Sequence, residues 1–96
     1  MAEKIIYAIS DSLGETAEAV ARATASQYDK EQIEIVRIPY IEDEAQIDEI
    51  IADAKNGNHV ICNTIVSSSL CSYLHEKEAE NNIPAVDIMG PVLDAV

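Results

Sequence analysis

Phenylalanine and tryptophan are absent from this 96-residue sequence, and four tyrosines are its only aromatic residues. We therefore expect a hydrophobic core made mainly of Ile, Val, Leu and Ala. Basic residues are also scarce, because 6 Lys and Arg stand against 18 Asp and Glu, for a net charge of −12. This acidity argues against nucleic-acid binding, which needs clustered basic side chains. It also disfavours binding to anionic membranes, since like charges repel.

Cysteine occurs only at Cys62 and Cys71, and the sequence contains no CxxC pair. The lack of such a pair disfavours a zinc site, and we expect the chain to hold no metal. We also expect no disulfide, because the sequence shows no secretory signal. The longest apolar run, residues 5–9, is too short to cross a bilayer. These features together predict a cytoplasmic protein.

Strand-like and helix-like apolar patterns alternate along the chain. Four short apolar segments predict strands, at residues 5–9, 33–38, 60–65 and 85–88. Segments with apolar residues three or four positions apart predict three helices, and these cover about residues 14–27, 44–56 and 69–81. Helices of this length between strands indicate a parallel sheet with right-handed crossovers.

The first and third strands are the most apolar, so we expect them in the centre of the sheet. The predicted strand order is therefore 2-1-3-4, with helices on both faces, in a flavodoxin-like or Rossmann-like α/β fold. Ninety-six residues suffice for one such domain. Gly90 and Pro91 predict the start of a further helix, with Pro91 at its first position, and the sequence stops about one turn later. We therefore expect residues 1–96 to be one domain of a longer protein.

Several residues predict where the helices begin, end and face inward. Ser12 with Glu15, and Asp43 with Gln46, have the spacing of a capping box, in which two side chains satisfy the first N–H groups of a helix. Gly57 predicts a left-handed residue after the second helix. The residues expected on the inward stripe of the first helix are Leu13, Ala17, Val20, Ala21 and Thr24.

The loop after the first strand, residues 10–16, is the best candidate for a functional surface. In an open parallel sheet, ligands bind beyond the carboxyl ends of the strands. We expect three further segments to meet this loop there: residues 39–43, 64–69 and 89–91.

The candidate ligand-binding residues of this loop are Ser10, Asp11, Ser12, Gly14, Glu15 and Thr16. Free N–H groups at the start of the following helix could bind an anion, and Gly14 allows a close approach of the backbone. Two observations oppose a phosphate. Ser12 and Glu15 can cap the helix themselves, and Asp11 and Glu15 already place negative charge there. A ligand site and a purely structural cap both stay open.

Other motifs with a known chemistry are missing or weak. The sequence has neither G-x-x-x-x-G-K-[ST], which binds nucleoside triphosphates, nor G-x-G-x-x-G, which binds dinucleotides. Residues 67–69 are serines without a surrounding G-x-S-x-G, so we expect them to cap a helix. His59 and His75 have no sequence neighbours that would complete a catalytic triad, and we expect them on the surface or in a cap.

Two strings of residues resemble a known family. Residues 10–18 read Ser-Asp-Ser-Leu-Gly-Glu-Thr-Ala-Glu, and residues 83–91 read Ile-Pro-Ala-Val-Asp-Ile-Met-Gly-Pro. Together with residues 39–40 and 70–77, they resemble the N-terminal part of the pyruvate, phosphate dikinase regulatory proteins. The resemblance covers essentially the whole chain, and Leu13 departs from the threonine expected there.

This resemblance implies a bifunctional serine/threonine kinase and phosphorylase. Members of the family phosphorylate a threonine of pyruvate, phosphate dikinase with ADP. They remove the phosphoryl group with inorganic phosphate, which yields pyrophosphate. A sister group acts on phosphoenolpyruvate synthase. ADP and phosphate would be substrates of the full-length protein.

The family's P-loop lies in a larger C-terminal domain, which would be a partner of this one within the same chain. The resemblance therefore assigns no catalytic residue and no cofactor to these 96 positions, and it implies that they are inactive alone. A homo-oligomer is compatible with it. From the residues themselves, two other functions stay open. One is a flavodoxin-like module that binds a phosphate or nucleotide through Ser10, Ser12 and Thr16. The other is an interaction domain with an acidic docking face.

Overall fold

A computed structural model describes residues 4–28 and 32–96 of the chain. Within these residues, strands and helices alternate as the apolar pattern predicts. The elements are β1 (Lys4–Ile9), α1 (Glu15–Ala25), β2 (Ile33–Ile38), α2 (Glu44–Ala54), β3 (Val60–Asn63), α3 (Ser68–Glu80), β4 (Ala85–Asp87) and α4 (Met89–Ala95).

The four strands form one parallel sheet in the order β2-β1-β3-β4, which confirms the predicted α/β fold and strand order. β1 lies in the centre, where Ile6 is paired with Ile35 on one side and with Val60 on the other. β2 is an edge strand, and its Glu34 and Arg37 side chains are exposed. All four carboxyl ends therefore lie along the same edge of the sheet.

The side chains of β1 alternate between two covered faces of the sheet. On one face, Tyr7 and Ile9 pack with the buried side of α2 and with Leu74 of α3. On the other face, Ile6 and Ala8 pack against α1. Both clusters are built almost entirely from isoleucine, leucine and alanine, as the lack of Phe and Trp requires.

The inward face of α1 is narrower than the sequence predicts. Only Ala17 and Ala21 are buried, whereas the side chains of Leu13 and Val20 are 48% and 39% exposed. Two alanines leave little space between this helix and the sheet, so the larger residues of the predicted stripe lie at its margins. The prediction for Leu13, Val20 and Thr24 is therefore wrong.

α2 and β3 both end earlier than the sequence predicts. α2 ends at Ala54, and Gly57 does not adopt the left-handed conformation predicted for it. Glycine is favoured at this position for another reason, because a side chain there would overlap the His59 ring. β3 ends at Asn63, whose side-chain carbonyl accepts from the Ile65 N–H (2.9 Å) and turns the chain out of the sheet.

α4 begins at Met89, two residues before the predicted position of Pro91. The Asp87 carboxylate accepts a hydrogen bond from the Gly90 N–H (2.8 Å) and so satisfies one donor of the first turn. By contrast, α2 begins as predicted, because Asp43 and Gln46 form a capping box. Over residues 4–28 and 32–96, every helix is too short or too polar to span a membrane.

Candidate functional site

The loop of residues 10–16 is hydrogen-bonded to the loop that follows β2. The Tyr40 N–H donates to the Ser12 carbonyl (2.9 Å), and the Ile41 N–H donates to the Ser10 carbonyl (3.0 Å). Tyr40 adopts a positive φ of 58°, and its side chain is exposed. The two loops therefore form one continuous surface beyond the carboxyl ends of β1 and β2.

Asp11 connects the same loop to the segment between β3 and α3. Its carboxylate accepts hydrogen bonds from the Val66 N–H (3.0 and 3.2 Å to the two oxygens) and from the Ser67 N–H (2.9 Å). The Ser67 hydroxyl in turn accepts from the Leu70 N–H and caps α3, as predicted for the serine run. The charge of Asp11 is therefore placed at the start of α3, where the helix dipole is favourable.

The start of α1 differs from the predicted capping box. Gly14 is the N-cap residue, in a left-handed conformation with φ 81°, and no side chain accepts a hydrogen bond there. Instead, the Ser12 N–H donates to the Ser10 hydroxyl (3.0 Å), which folds the loop back on itself. The prediction that Ser12 and Glu15 cap this helix is therefore wrong, because the left-handed turn at Gly14 sets the first residue of the helix.

Arg37, on the edge strand β2, is hydrogen-bonded to the loop of residues 10–16. Its Nε donates to the Leu13 carbonyl (2.8 Å), and its guanidinium forms a salt bridge with Glu18 (3.1 Å). Glu18 also accepts a hydrogen bond from Arg22 (2.8 Å). The hydrogen bonds from Arg22 and Arg37 lower the pKa of Glu18 below its usual value.

The six predicted site residues divide into two groups in the structure. Ser10 and Gly14 are buried, and Asp11 is bound to the neighbouring loop, so these three shape the backbone of the site. Ser12, Glu15 and Thr16 are exposed, and they are the members of the set that a ligand or another domain could contact.

A second polar cluster lies beside the end of β4, and the sequence analysis missed it. The Sγ of Cys71 lies 3.3 Å from the Nε2 of His75, and this nitrogen lies 3.2 Å from the Oδ2 of Asp87. The Cys71 thiol also lies 3.5 Å from the same carboxylate oxygen. In the part of the chain that the structure describes, this is the group of three side chains with the spacing of metal ligands.

Glu78 supports this cluster from the inside of the protein. Its Oε1 lies 3.0 Å from the Nδ1 of His75, and its side chain is only 4% exposed. Burial raises the pKa of Glu78. Burial lowers the pKa of His75, but the hydrogen bonds to Glu78 and Asp87 outweigh this effect and raise it overall.

Cys71 does not have the surroundings of a nucleophilic cysteine. Burial and the nearby charge of Asp87 raise the pKa of its thiol to about 11, so the free thiolate is rare at neutral pH. Burial also raises the pKa of Asp87, but hydrogen bonds from Gly90 and His75 lower it overall. Asp87 is therefore ionised at neutral pH.

One signal for this cluster was present in the sequence. Cys71 and His75 are four residues apart on a predicted helix, a spacing that places two side chains on the same face. Asp87 belongs to another element and joins them only because β4 pairs with β3.

A cavity of about 420 Å³ lies at the opposite end of the sheet. Among the described residues that line it, none is a histidine, a cysteine or a carboxylate.

Comparison with known proteins identifies the group to which this chain is related. A family model described as kinase/pyrophosphorylase matches residues 6–96, which is nearly the whole sequence. The chain belongs to the kinase/pyrophosphorylase family. The resemblance inferred from the two strings of residues is therefore confirmed.

Curated relatives of this kinase/pyrophosphorylase chain are named as pyruvate, phosphate dikinase regulatory proteins. A protein of Alkaliphilus oremlandii is 50% identical over 95 residues, which cover 99% of the chain and 34% of that protein. A protein of Halalkalibacterium halodurans is 45% identical over 96% of the chain and 34% of its own length. A protein of Staphylococcus aureus is 48% identical over 95% of the chain and 34% of its own length. The chain thus spans about a third of the length of these relatives.

Proposed function

We propose that this kinase/pyrophosphorylase chain is the N-terminal domain of a bifunctional serine/threonine kinase and phosphorylase in the cytoplasm. Its target would be pyruvate, phosphate dikinase, phosphorylated on a threonine with ADP and dephosphorylated with inorganic phosphate. The observation that carries the proposal is the match of residues 6–96 to the family, together with the names of relatives that are up to 50% identical.

The role of the 96 residues in this reaction would be positioning. The sequence contains no P-loop motif, so the phosphate-binding residues would lie in a further domain of the full-length protein. The loop of residues 10–16 is suited to contact that domain or the target. It is held to the loop after β2 by Ile41 and to the loop after β3 by Asp11, while Ser12, Glu15 and Thr16 stay exposed. These hydrogen bonds fix the loop backbone and so hold the three exposed side chains in a defined geometry.

Assays of the full-length gene product test the proposal. We expect ADP-dependent transfer of a phosphoryl group to a threonine of the dikinase, its removal with phosphate, and no transfer by residues 1–96 alone. Phosphoenolpyruvate synthase is the comparison substrate. Preferential phosphorylation of this enzyme would mean that it, and not the dikinase, is the target. A full-length sequence without a P-loop, or activity on neither enzyme, would contradict the proposal.

Thr16→Ala in the full-length protein tests the role of the loop. Loss of one hydrogen bond at a contact between domains costs about 1.4 kcal/mol, so we expect a decrease in kcat/KM of roughly tenfold. Thr24→Ala is the control, because Thr24 is also exposed on α1 and its hydroxyl bonds to the Val20 carbonyl of the same helix. Equal effects of the two substitutions would argue against a specific role for the loop.

One observation favours a second role for the same loop, the binding of a phosphate group. The start of α1 has no side-chain cap, and the charge of Asp11 is directed to α3 rather than to α1. Backbone N–H groups at the start of α1 are thus available to an anion, beside Arg37. Titration with phosphate, ADP and FMN should shift the amide resonances of Gly14, Glu15 and Thr16. Unchanged resonances at millimolar ligand would reject this role.

A further inference from the structure

The cluster of Cys71, His75 and Asp87 has the shape of three ligands around a metal ion. Cys71 lies in the first turn of α3, His75 lies one turn later on the same side, and Asp87 ends β4. Their Sγ, Nε2 and Oδ2 atoms form a triangle with edges of 3.3, 3.2 and 3.5 Å.

The size of this triangle matches a tetrahedral zinc site. Bonds of about 2.3 Å to sulfur, 2.0–2.1 Å to nitrogen and 2.0–2.2 Å to oxygen place the ligand atoms roughly 3.3–3.6 Å apart at tetrahedral angles. Each observed edge is close to this range without any movement of the backbone. We propose that Cys71, His75 and Asp87 bind one Zn²⁺ ion or a similar divalent transition metal, with water in the fourth position.

Hydrogen bonds outside the triangle already orient two of the three ligands. The Nδ1 of His75 contacts the buried carboxylate of Glu78 (3.0 Å), which directs Nε2 towards Cys71 and Asp87. The other oxygen of Asp87 accepts from the Gly90 N–H (2.8 Å), which leaves Oδ2 for the metal. Carboxylates and backbone groups in these positions are the usual outer partners of metal ligands. His75 is 42% exposed, so the ion and its water can enter from solvent.

The charge around the triangle favours a cation over a catalytic thiol. Among the described residues, neither Glu78 nor Asp87 forms a salt bridge with Lys or Arg. Asp87, Glu78 and Asp11 all add negative potential at the thiol, the reverse of what activates a nucleophilic cysteine. A divalent ion reverses this effect, because it stabilises the thiolate that binds it. The inference departs from the sequence prediction of no metal site, and it is independent of the proposed function.

Cobalt titration of the metal-free 96-residue chain tests the site directly. Co²⁺ replaces Zn²⁺ and reports sulfur ligation through a thiolate-to-metal absorption band in the near ultraviolet. We expect this band to saturate at one equivalent, to disappear when Zn²⁺ is added, and to be absent in Cys71→Ser. Cys62→Ala is the matched control, since it removes the other thiol, which is buried against α1, and should keep the band. A band that persists in Cys71→Ser would overturn the site.

Calorimetric titration with Zn²⁺ measures the contribution of the other residues. We expect Asp87→Asn and His75→Gln to abolish tight binding, and Glu78→Gln to weaken it by roughly 10–100-fold, as for other outer partners of metal ligands. Far-ultraviolet circular dichroism establishes that each variant is folded. Failure of the folded wild-type chain to bind Zn²⁺, or equal affinity in all variants, would refute the proposal.

Discussion

At the scale of single residues, Gly14 decides how the chain leaves β1. Gly14 is buried beside Arg37 and has a left-handed backbone conformation. It is the N-cap residue of α1, a position that the sequence predicts for Ser12. A Cβ atom at this position would lie 3.5 Å from Arg37, which is an ordinary contact. The requirement for glycine therefore comes from the backbone conformation and not from space.

Substitution of Gly14 separates these two causes. We expect Gly14→Ala to lower the free energy of unfolding by about 1–2 kcal/mol, because alanine is strained in the left-handed region. Gly14→Asn should lose less, since asparagine tolerates this conformation. Urea denaturation monitored by circular dichroism measures both. An asparagine variant as unstable as the alanine variant would mean that contact with Arg37 is the cause.

Glu18 should make the stability of the chain depend on acid pH. Its pKa is lowered in the folded state by Arg22 and Arg37, so its contribution is present above about pH 4.5 and is lost as the pH falls below that value. We expect Glu18→Gln to reduce the loss of stability on acidification. Glu15→Gln is the control, because Glu15 lies one turn earlier and forms no salt bridge among the described residues. Identical acid curves for the wild type and Glu18→Gln would contradict this.

At the scale of the elements, the loops after the strands are more tightly connected than their sequences suggest. Asp11 binds the backbone of the β3–α3 segment, more than fifty residues away, and so joins the first and third loops. No periodic or local signal identifies this partner, because the contact exists only when β1 and β3 are adjacent. The pairing of β4 with β3 likewise brings Asp87 to the helix that carries Cys71 and His75.

We expect Asp11→Ala to lower the free energy of unfolding by about 1–2 kcal/mol, as hydrogen bonds to a partly exposed carboxylate are lost. The amides of Val66 and Ser67 should then exchange faster with solvent. Ser12→Ala is the control, and its exposed side chain should change stability by less than about 0.5 kcal/mol. Unchanged exchange at Val66 and Ser67 in Asp11→Ala would show that the loops are held together without this carboxylate.

Capping boxes show how far local patterns predict an element. The pattern of Asp43 and Gln46 forms as expected, because the chain enters α2 in an extended conformation that lets both side chains reach the backbone. The equivalent pattern of Ser12 and Glu15 does not form, because Gly14 turns the chain between them. The residues are suitable in both cases, and the backbone between them decides the outcome.

At the scale of the whole molecule, the net charge of −12 is spread over a body of only 37 × 28 × 20 Å. The screening length is about 30 Å in 0.01 M salt and about 8 Å in 0.15 M salt. At low salt, acidic groups across the entire surface therefore repel one another, which favours the unfolded chain.

We expect the melting temperature to rise when NaCl is increased from about 0.01 to about 0.15 M, because the repulsion is then screened. Glu42→Lys combined with Glu49→Lys changes two exposed acids and takes the net charge from −12 to −8, since each substitution adds two positive charges. This variant should respond less to salt. A melting temperature that falls with NaCl, or an equal response in both proteins, would contradict the prediction.

The sequence by itself determined the α/β class, the strand order, the isoleucine-rich core and the family. Each of these depends on local composition or on short strings of residues, such as the apolar β1 or the run from Ile83 to Pro91. Only the tertiary structure decided that Asp11 accepts hydrogen bonds from a distant loop. The same is true of the contact between Cys71, His75 and Asp87. The physical reason is that these contacts join residues from separate elements, and parallel pairing of the strands is what brings those elements to one edge of the sheet.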